Sequence, residues 1–216
     1  MNYDVVKKNI SHINVMMSRM VKQAVELSYV RQPKIIAICG AKRSGKDVLA
    51  DHLVNKYGYQ KLSFAEPLKK ITQVLFNFSD EQLGDGDIKD DVDERWGIAP
   101  RKALQFFGTE VMQYKVQELL PGIDRKFLAR SLVSKIHPEK YYVISDMRFY
   151  HEYEELAKMN ALVIMVDRFP SRYTPDEYIH PSEIEYKSIP YNIHIMNDKD
   201  VDGLCKKLDK ALGADV

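Results

Sequence analysis

The sequence predicts a three-layer α/β/α sandwich built on a parallel sheet of about five strands. Two observations lead to this fold class. Short apolar runs alternate along the chain with longer amphipathic stretches, as strands and helices do in α/β domains. The first of these runs also leads into a glycine-containing loop and then an amphipathic stretch, which is a strand–loop–helix order.

The predicted strands are short and mostly continuously apolar, with many Val and Ile residues. This composition suits strands that helices cover on both faces. They are Ile35–Cys39, Tyr59–Phe64, Tyr141–Ser145, Leu162–Val166 and Ile193–Met196. The amphipathic stretches predict helices over 45–57, 66–77, 100–119, 125–136, 149–159 and 201–212.

Composition excludes several classes of protein. The chain has 216 residues and a formal charge of +1, without the basic excess expected of a general nucleic-acid coat protein. No apolar stretch approaches the ~20 residues of a membrane span. Two cysteines cannot form a disulfide framework, which indicates a reducing compartment. We therefore expect a cytoplasmic protein that binds neither nucleic acid nor membrane. The oligomeric state stays open, with a homodimer as one candidate.

The chain divides into a short extension and one domain. Residues 1–32 carry apolar side chains at three- and four-residue steps, which predicts an amphipathic helix that ends before Pro33. The domain then occupies 33–216. Within it, 79–97 is rich in Asp, Glu and Gly. Asp90 stands where a calcium-binding EF-hand loop needs glycine, so we expect a solvated, mobile insertion instead.

The loop after the first strand has the G-x-x-x-x-G-K pattern of a phosphate-binding loop. It runs from Gly40 to Lys46, follows an apolar strand and opens a helix. The glycines let backbone N–H groups surround phosphate oxygens, and the lysine reaches the β and γ phosphates. The alternative, an ordinary glycine-rich turn, meets this context less well. The loop therefore predicts a nucleoside triphosphate site.

Two features of this loop depart from the usual pattern. Asp47 stands where Ser or Thr normally holds Mg²⁺. A carboxylate is also a competent Mg²⁺ ligand, directly or through water. Lys42 and Arg43 add two cations inside the loop. They suggest that the loop faces more than one phosphorylated ligand.

A second set of candidate residues follows the third predicted strand. Asp146 stands at its carboxyl end, where proteins with this loop place a carboxylate that binds Mg²⁺ or orients the substrate. Arg148, two residues on, can neutralise a phosphate with two parallel hydrogen bonds. A surface salt bridge between the two is the alternative.

Several motifs together resemble the phage and viral deoxynucleoside monophosphate kinases. The loop Gly40–Asp47 is similar to that family's G-x-K-R-S-G-K-D, and Arg101–Glu110 to its R-x-x-x-Q-x-x-G-T-D/E. Three further elements resemble its D-T-R-x-x-H-E, H-x-T/S-E and N-D motifs: Asp146–Glu152, His180–Glu183 and Asn197-Asp198. Ordered matches over about 34–213 are far more specific than the loop alone.

The resemblance implies a P-loop NTPase fold of the nucleoside monophosphate kinase type. It also implies transfer of the ATP γ-phosphoryl group to a deoxynucleoside 5′-monophosphate (dNMP), with Mg²⁺ as cofactor. The implied ATP-binding residues are Gly40, Arg43, Ser44, Gly45, Lys46, Asp47, Val48 and Asn197, with Asp47 on the metal. The implied acceptor-binding residues are Lys42, Lys89, Arg101, Gly108, Thr109, Asp146, Arg148 and Glu152. The catalytic set is Lys46, Arg43, Arg148 and Asp146.

Two alternatives remain from the sequence. Animal-type phosphomevalonate kinases have a similar loop and strand end, so another small-molecule kinase is the first. A non-catalytic nucleotide switch is the second, although Asn197–Asp200 does not fit the N-K-x-D guanine motif. Arg168 and Arg172 are candidates for a lid that closes over the site, or are solvated loop arginines.

Overall fold

The computed structural model describes residues 32–84, 86–168 and 181–213. Its centre is a five-stranded sheet in which neighbouring strands are parallel, in the order β2-β3-β1-β4-β5. The strands are β1 Ile35–Cys39, β2 Gln60–Leu62, β3 Tyr142–Met147, β4 Leu162–Arg168 and β5 Ile193–Asn197. Each predicted strand is present, and the predicted fold class is confirmed. The predicted N-terminal helix lies almost wholly outside the described residues.

Helices connect the strands. They are α1 Lys46–Tyr57, α2 Glu66–Phe76, α3 Asp80–Leu83, α4 Pro100–Gln105, α5 Val116–Leu119, α6 Phe127–Val133, α7 Tyr150–Ala157 and α8 Val201–Ala211. A π-helical segment, Phe106–Lys115, joins α4 to α5, so the predicted helix over 100–119 is one continuous run with a wider middle. Short 3₁₀ turns cover Asp87–Asp90, Pro181–Glu183 and Glu185–Ser188.

The side chains of β1 alternate between two hydrophobic cores, one on each face of the sheet. Ile36 and Ile38 pack with residues of α1 and α8 on one face. Ile35 and Ala37 pack with residues of α6 and α7 on the other. A strand buried on both faces needs apolar residues at every position, which explains its continuous apolar run.

A bulge in β3 lies at the end of the strand where the candidate site residues are found. Ala37 pairs with Ile144 and Cys39 pairs with Met147, so β3 holds one residue more than β1 over this stretch. Such a bulge bends the strand and redirects side chains. The two residues inside it, Ser145 and Asp146, make the site contacts described below.

The acidic segment 79–97 is folded where the structure describes it. Most of its described side chains are exposed, as expected of a solvated insertion, but Leu83, Lys89 and Asp93 are buried. Phe78 and Leu83 form a small core with Ala103 of α4. Trp96 donates its indole N–H to the Phe76 carbonyl at 2.8 Å and packs edge-on against the Phe76 ring. Apolar and aromatic anchors on both sides of the acidic stretch therefore hold it against α2 and α4.

Among the residues described, no helix is both long and apolar enough to cross a membrane. The homodimer, the cytoplasmic location and the absence of nucleic-acid binding stay predictions.

Candidate active site

The predicted site residues gather mainly at one edge of the sheet. Gly40 follows β1, Arg148 follows β3 and Asn197 ends β5. Parallel strands place their carboxyl ends at the same edge, so these residues converge although they are far apart in sequence. This edge is where α/β proteins of this kind bind their ligands.

The phosphate loop depends on both of its glycines. Gly40 has φ +144°, and a Cβ there would lie 2.2 Å from the Val166 carbonyl oxygen. Gly45 has φ +109°, and a Cβ there would lie 2.7 Å from Nδ2 of Asn197. A side chain at either position would be strained and would also collide with β4 or β5. The glycines therefore let the loop pack directly on the strand ends.

Asn197 supports the loop from the sheet side. Its Nδ2 donates to the Ser44 carbonyl at 2.8 Å, and both residues are buried. The Ser44 amide donates to the Ala41 carbonyl at 3.2 Å, which closes the turn. The predicted ATP-binding residue Asn197 thus contacts the loop itself in this structure.

Lys46 begins α1 and is buried at the base of the loop. Its Nζ donates to the Ala41 carbonyl at 2.6 Å. Burial, together with the positive charge of Arg148, lowers the pKa of Lys46 to about 8, against opposing effects of Asp47 and Glu183. Helix α1 also presents first-turn N–H groups, including that of Val48, which have no acceptor within the helix. These donors and the amine suit a phosphate group.

Asp47 and Ser145 provide oxygen atoms beside Lys46. The Ser145 hydroxyl donates to Asp47 Oδ1 at 2.7 Å, and Lys61 Nζ lies 3.3 Å from the same carboxylate oxygen. Burial raises the pKa of Asp47, but the Ser145 hydrogen bond and the Lys61 charge outweigh it and keep the pKa below its usual value. The described residues contain no group of three His, Cys, Asp or Glu side chains that could hold a metal. One carboxylate with a neighbouring hydroxyl nevertheless fits Mg²⁺, which takes few protein ligands and completes its shell with phosphates and water.

The additional cations of the loop are each paired with an acid of the 79–97 segment. Lys42 Nζ lies 3.2 Å from Asp90 Oδ2, and Arg43 forms a close ion pair with Asp87. Arg101, at the start of α4, donates to both oxygens of the same Asp90. Two predicted acceptor-site cations therefore lie within hydrogen-bonding distance of one carboxylate.

Asp146 and Arg148 take different partners, so the salt bridge between them is not formed. Asp146 Oδ2 accepts from the Ser63 hydroxyl at 2.6 Å and from the Ala65 amide at 3.0 Å. These bonds fix the turn between β2 and α2. Arg148 forms a close ion pair with Glu183, whose other oxygen accepts from the Lys42 amide at 3.3 Å. Glu183 therefore links Arg148 to the phosphate loop.

Glu152 lies beneath Arg148 rather than at the surface. Its Oε2 accepts the backbone N–H groups of Arg148 and Phe149 at 2.8 and 3.0 Å, and it caps α7. Burial, with the Asp146 charge as a smaller cause, raises the pKa of Glu152 to about 8, against those two hydrogen bonds. Its contacts are those of a residue that positions the Arg148 backbone.

The remaining predicted acceptor residues are buried, two of them in the helical run over 100–119 and one in the 3₁₀ turn before it. Lys89 lies in the turn that carries Asp90, and Thr109 follows Gly108 in the π segment. A Cβ at Gly108 would lie 2.9 Å from the Leu68 side chain, so this glycine permits close packing on α2. Arg168 ends β4 and is exposed, whereas Arg172 and His180 lie outside the described residues.

Five residues that contact the predicted site residues were not themselves predicted as site residues from the sequence: Asp87, Asp90, Ser145, Ser63 and Lys61. The two acids were visible only as members of an acidic stretch. The others gave no separate signal, because an isolated Ser or Lys in or next to a strand has no pattern that distinguishes a functional residue from an ordinary one.

The fold and the site together define a P-loop kinase: a phosphate loop at the carboxyl edge of a parallel sheet, with a second group of cations beside it. The family described as deoxynucleotide monophosphate kinase matches the chain over residues 34–86 and 85–208. The chain belongs to this family. It is a phosphotransferase that phosphorylates deoxynucleoside monophosphates, with ATP as the co-substrate. The predicted family, enzyme class and function are confirmed.

Relatives and solved structures accompany the family match. A protein of Acanthamoeba polyphaga mimivirus, provisionally named a deoxynucleotide monophosphate kinase, is 36% identical over 178 residues, which are 78% of this chain and 90% of that one. Shikimate kinase from Aquifex aeolicus aligns with a TM-score of 0.44 at 16% identity over 83% of this chain and 96% of its own. Dephospho-CoA kinase from Campylobacter jejuni aligns with a TM-score of 0.46 at 12% identity over 84% of this chain and 96% of its own. Neither structural likeness bears on the substrate.

Proposed function

We propose that this chain transfers the γ-phosphoryl group of Mg²⁺-bound ATP to the 5′-phosphate of a dNMP, with both phosphates held by the two sides of one loop. The observation that carries this proposal is the position of Asp90, which contacts both Lys42 and Arg101. Two cations that reach one carboxylate can also reach one phosphate, because both are compact anions with several acceptor oxygens.

The donor side of the proposed site comprises the loop backbone and the first turn of α1. Gly40, Ser44, Gly45, Lys46 and Val48 would surround the β and γ phosphates, with Arg43 at the outer end and Asn197 behind. Asp47 would hold Mg²⁺, with the Ser145 hydroxyl orienting its carboxylate at 2.7 Å. The ion, when bound, neutralises charge on the phosphates of the donor.

The acceptor side comprises Lys42, Arg101 and Arg148, with Lys89, Gly108 and Thr109 around them. Phosphoryl transfer demands little covalent chemistry of the protein, which has to position the two nucleotides and neutralise charge. Lys46, Arg43 and Arg148 would neutralise the transferred group. Asp146 and Glu152 would act as positioning residues, because their oxygens hold the 63–65 turn and the Arg148 backbone. In this proposal 33–216 forms one kinase domain, with 79–97 beside the acceptor and 1–32 as an extension.

The test is an ADP-release assay with ATP, Mg²⁺ and a panel of acceptors. The panel holds dTMP, dGMP, dCMP, dAMP, the four ribonucleotides and phosphomevalonate, and Lys46→Ala is the inactive control. We expect turnover on at least one dNMP that the control lacks, and slower turnover for Arg101→Ala through a raised KM for the acceptor. Turnover on phosphomevalonate alone, or ATP hydrolysis that no acceptor accelerates, would contradict the proposal.

A further inference from the structure

In the proposed site, Lys42 of the loop and Arg101 of α4 are the cations that face the acceptor phosphate, and both are paired with one carboxylate of the chain itself. Asp90 accepts from Lys42 and from two nitrogens of Arg101. The Arg101 hydrogen bonds, with a smaller contribution from Lys42, hold the pKa of Asp90 below its usual range, so this carboxylate is ionised near neutral pH. The chain thus places an anion of its own between the two cations.

The backbone keeps Asp90 at this position. It ends the 3₁₀ turn Asp87–Asp90, whose Lys89 is buried, and the Asp91 amide donates to the Ile88 carbonyl at 3.2 Å. A few residues on, the Asp93 amide donates to the Ile98 carbonyl at 3.0 Å, which leads the chain into α4 and Arg101. Asp90 and Arg101 are therefore carried by neighbouring pieces of backbone that these hydrogen bonds hold in place.

We propose that Asp90 is a built-in competitor of the acceptor phosphate, which occupies Lys42 and Arg101 in the ligand-free enzyme and must be displaced by the incoming phosphate monoester. This inference rests on the proposed assignment of Lys42 and Arg101 to the acceptor. A phosphate monoester carries close to two negative charges at neutral pH and replaces a group that carries one. The exchange favours a dianionic phosphate, whereas a neutral nucleoside cannot replace the carboxylate.

The competition has a predictable size. All three side chains are partly exposed, at 41% for Lys42, 29% for Arg101 and 43% for Asp90, so solvent screens the pairs. Removing the Asp90 charge without changing its shape should tighten dNMP binding about fivefold, which corresponds to ~1 kcal/mol. The same change should leave the affinity for a deoxynucleoside without phosphate unaltered.

The chain offers two matched controls. Asp87→Asn removes the neighbouring acid of the same turn, which pairs with Arg43 on the donor side. Glu118→Gln removes an exposed acid of α5, which is paired with Lys115. Both variants change the net charge by the same amount as Asp90→Asn. Neither touches Lys42 or Arg101.

The experiment is calorimetric titration of each variant with dTMP, dGMP, dCMP and dAMP, and with thymidine, all without ATP. We expect Asp90→Asn to bind the accepted dNMP about fivefold more tightly, and both controls to bind it within twofold of the natural chain. Asp90→Ser should agree with Asp90→Asn in direction, and thermal unfolding verifies that each variant is folded. Unchanged or weaker dNMP binding by both Asp90 variants would overturn the inference, as would equal tightening in the controls.

Arg101→Ala separates this inference from the proposed function. If Arg101→Ala weakens dNMP binding tenfold or more and Asp90→Asn does not tighten it, the acceptor site stands and the competitor is rejected. If Arg101→Ala leaves dNMP binding unchanged, the acceptor assignment fails, and the competitor fails with it.

Discussion

The donor and acceptor sides of the proposed site are built in opposite ways. The donor side is mainly one contiguous loop, Gly40–Lys46, whose glycines and backbone bonds fix it on the strand ends. The acceptor side comes from residues near 42, 90, 101, 148 and 183, which only the tertiary fold brings together. A contiguous motif can be recognised without the fold, whereas the geometry of a dispersed site cannot.

The two sides also differ in how their cations are neutralised. Lys46 is buried and donates to a backbone carbonyl. On the other side, Lys42 and Arg101 share Asp90, while Arg148 pairs with Glu183. In the proposed site, a donor phosphate would meet Lys46, which pairs with no carboxylate at hydrogen-bonding distance in the described structure, and Arg43, which pairs with Asp87. On the proposed acceptor side, Lys42, Arg101 and Arg148 are each paired with a carboxylate.

The largest expected effect comes from Arg148→Ala, which removes a cation that lies close to Lys46. We expect kcat to fall by about 10²–10³-fold, because one preorganised charge on the transferred group is lost. ATP affinity should stay within about threefold, since the loop is intact. Steady-state kinetics and ATP titration measure the two quantities. Arg130→Ala, an exposed arginine on α6, is the control, and near-normal kcat in Arg148→Ala would remove Arg148 from the catalytic set.

Asn197→Ala tests whether the donor side depends on support from β5. The change leaves the buried Ser44 carbonyl without its 2.8 Å partner, which should lower the free energy of unfolding by ~1–3 kcal/mol. We expect ATP affinity to fall about tenfold and dNMP affinity to stay within twofold. Asn192→Ala is the matched control, since it removes a side-chain bond to the Val163 amide at the opposite edge of the sheet. Equal loss of ATP affinity in both variants would show a general effect on stability.

Glu152→Gln tests the scaffold of the acceptor side through pH. Burial raises the pKa of Glu152 to about 8 in the folded protein, above its value of about 4.5 in the unfolded chain. The folded state therefore binds this proton more tightly, and the resulting stability is present below pH ~4.5 and is lost as pH rises through 8. Chemical denaturation from pH 5 to 9 should show the natural chain losing stability relative to Glu152→Gln. If the free energy of unfolding changed with pH in the same way in both proteins, that result would contradict the raised pKa of Glu152.

The smallest expected effect is the uptake of a fraction of a proton by Lys46 when ATP binds. Because burial and Arg148 lower the pKa of Lys46 to about 8, the amine is about half protonated at pH 8 before ATP binds. Donor phosphates favour the charged amine, so ATP binding should take up about half a proton. Calorimetry in two buffers of different ionisation enthalpy measures this uptake. Its persistence in Lys46→Ala would assign the proton to another group.

The fold was predictable because it depends on local patterns. The continuous apolar run of β1 and the loop after it gave the sheet and the position of the donor site. The contacts that Ser145 and Asp146 make were not predictable, since they depend on the bulge in β3, which no residue pattern indicates. The contacts that fold the 79–97 segment were not predicted either. Most of its acidic residues are exposed, as their charge suggested, but Leu83 packs with Phe78 and Trp96 packs against Phe76.

Thermal stabilisation by each nucleotide alone tests the central claim that one loop serves two separate phosphate sites. A ligand that binds only the folded state stabilises it by RT ln(1 + [L]/Kd), so at a fixed concentration a tighter ligand raises the melting temperature more. We expect an accepted dNMP to stabilise the natural chain without ATP, and Arg101→Ala to lose this shift while keeping the shift with ATP. Asn197→Ala should show the reverse pattern. No stabilisation by any dNMP in the absence of ATP, or loss of both shifts together in both variants, would contradict the account.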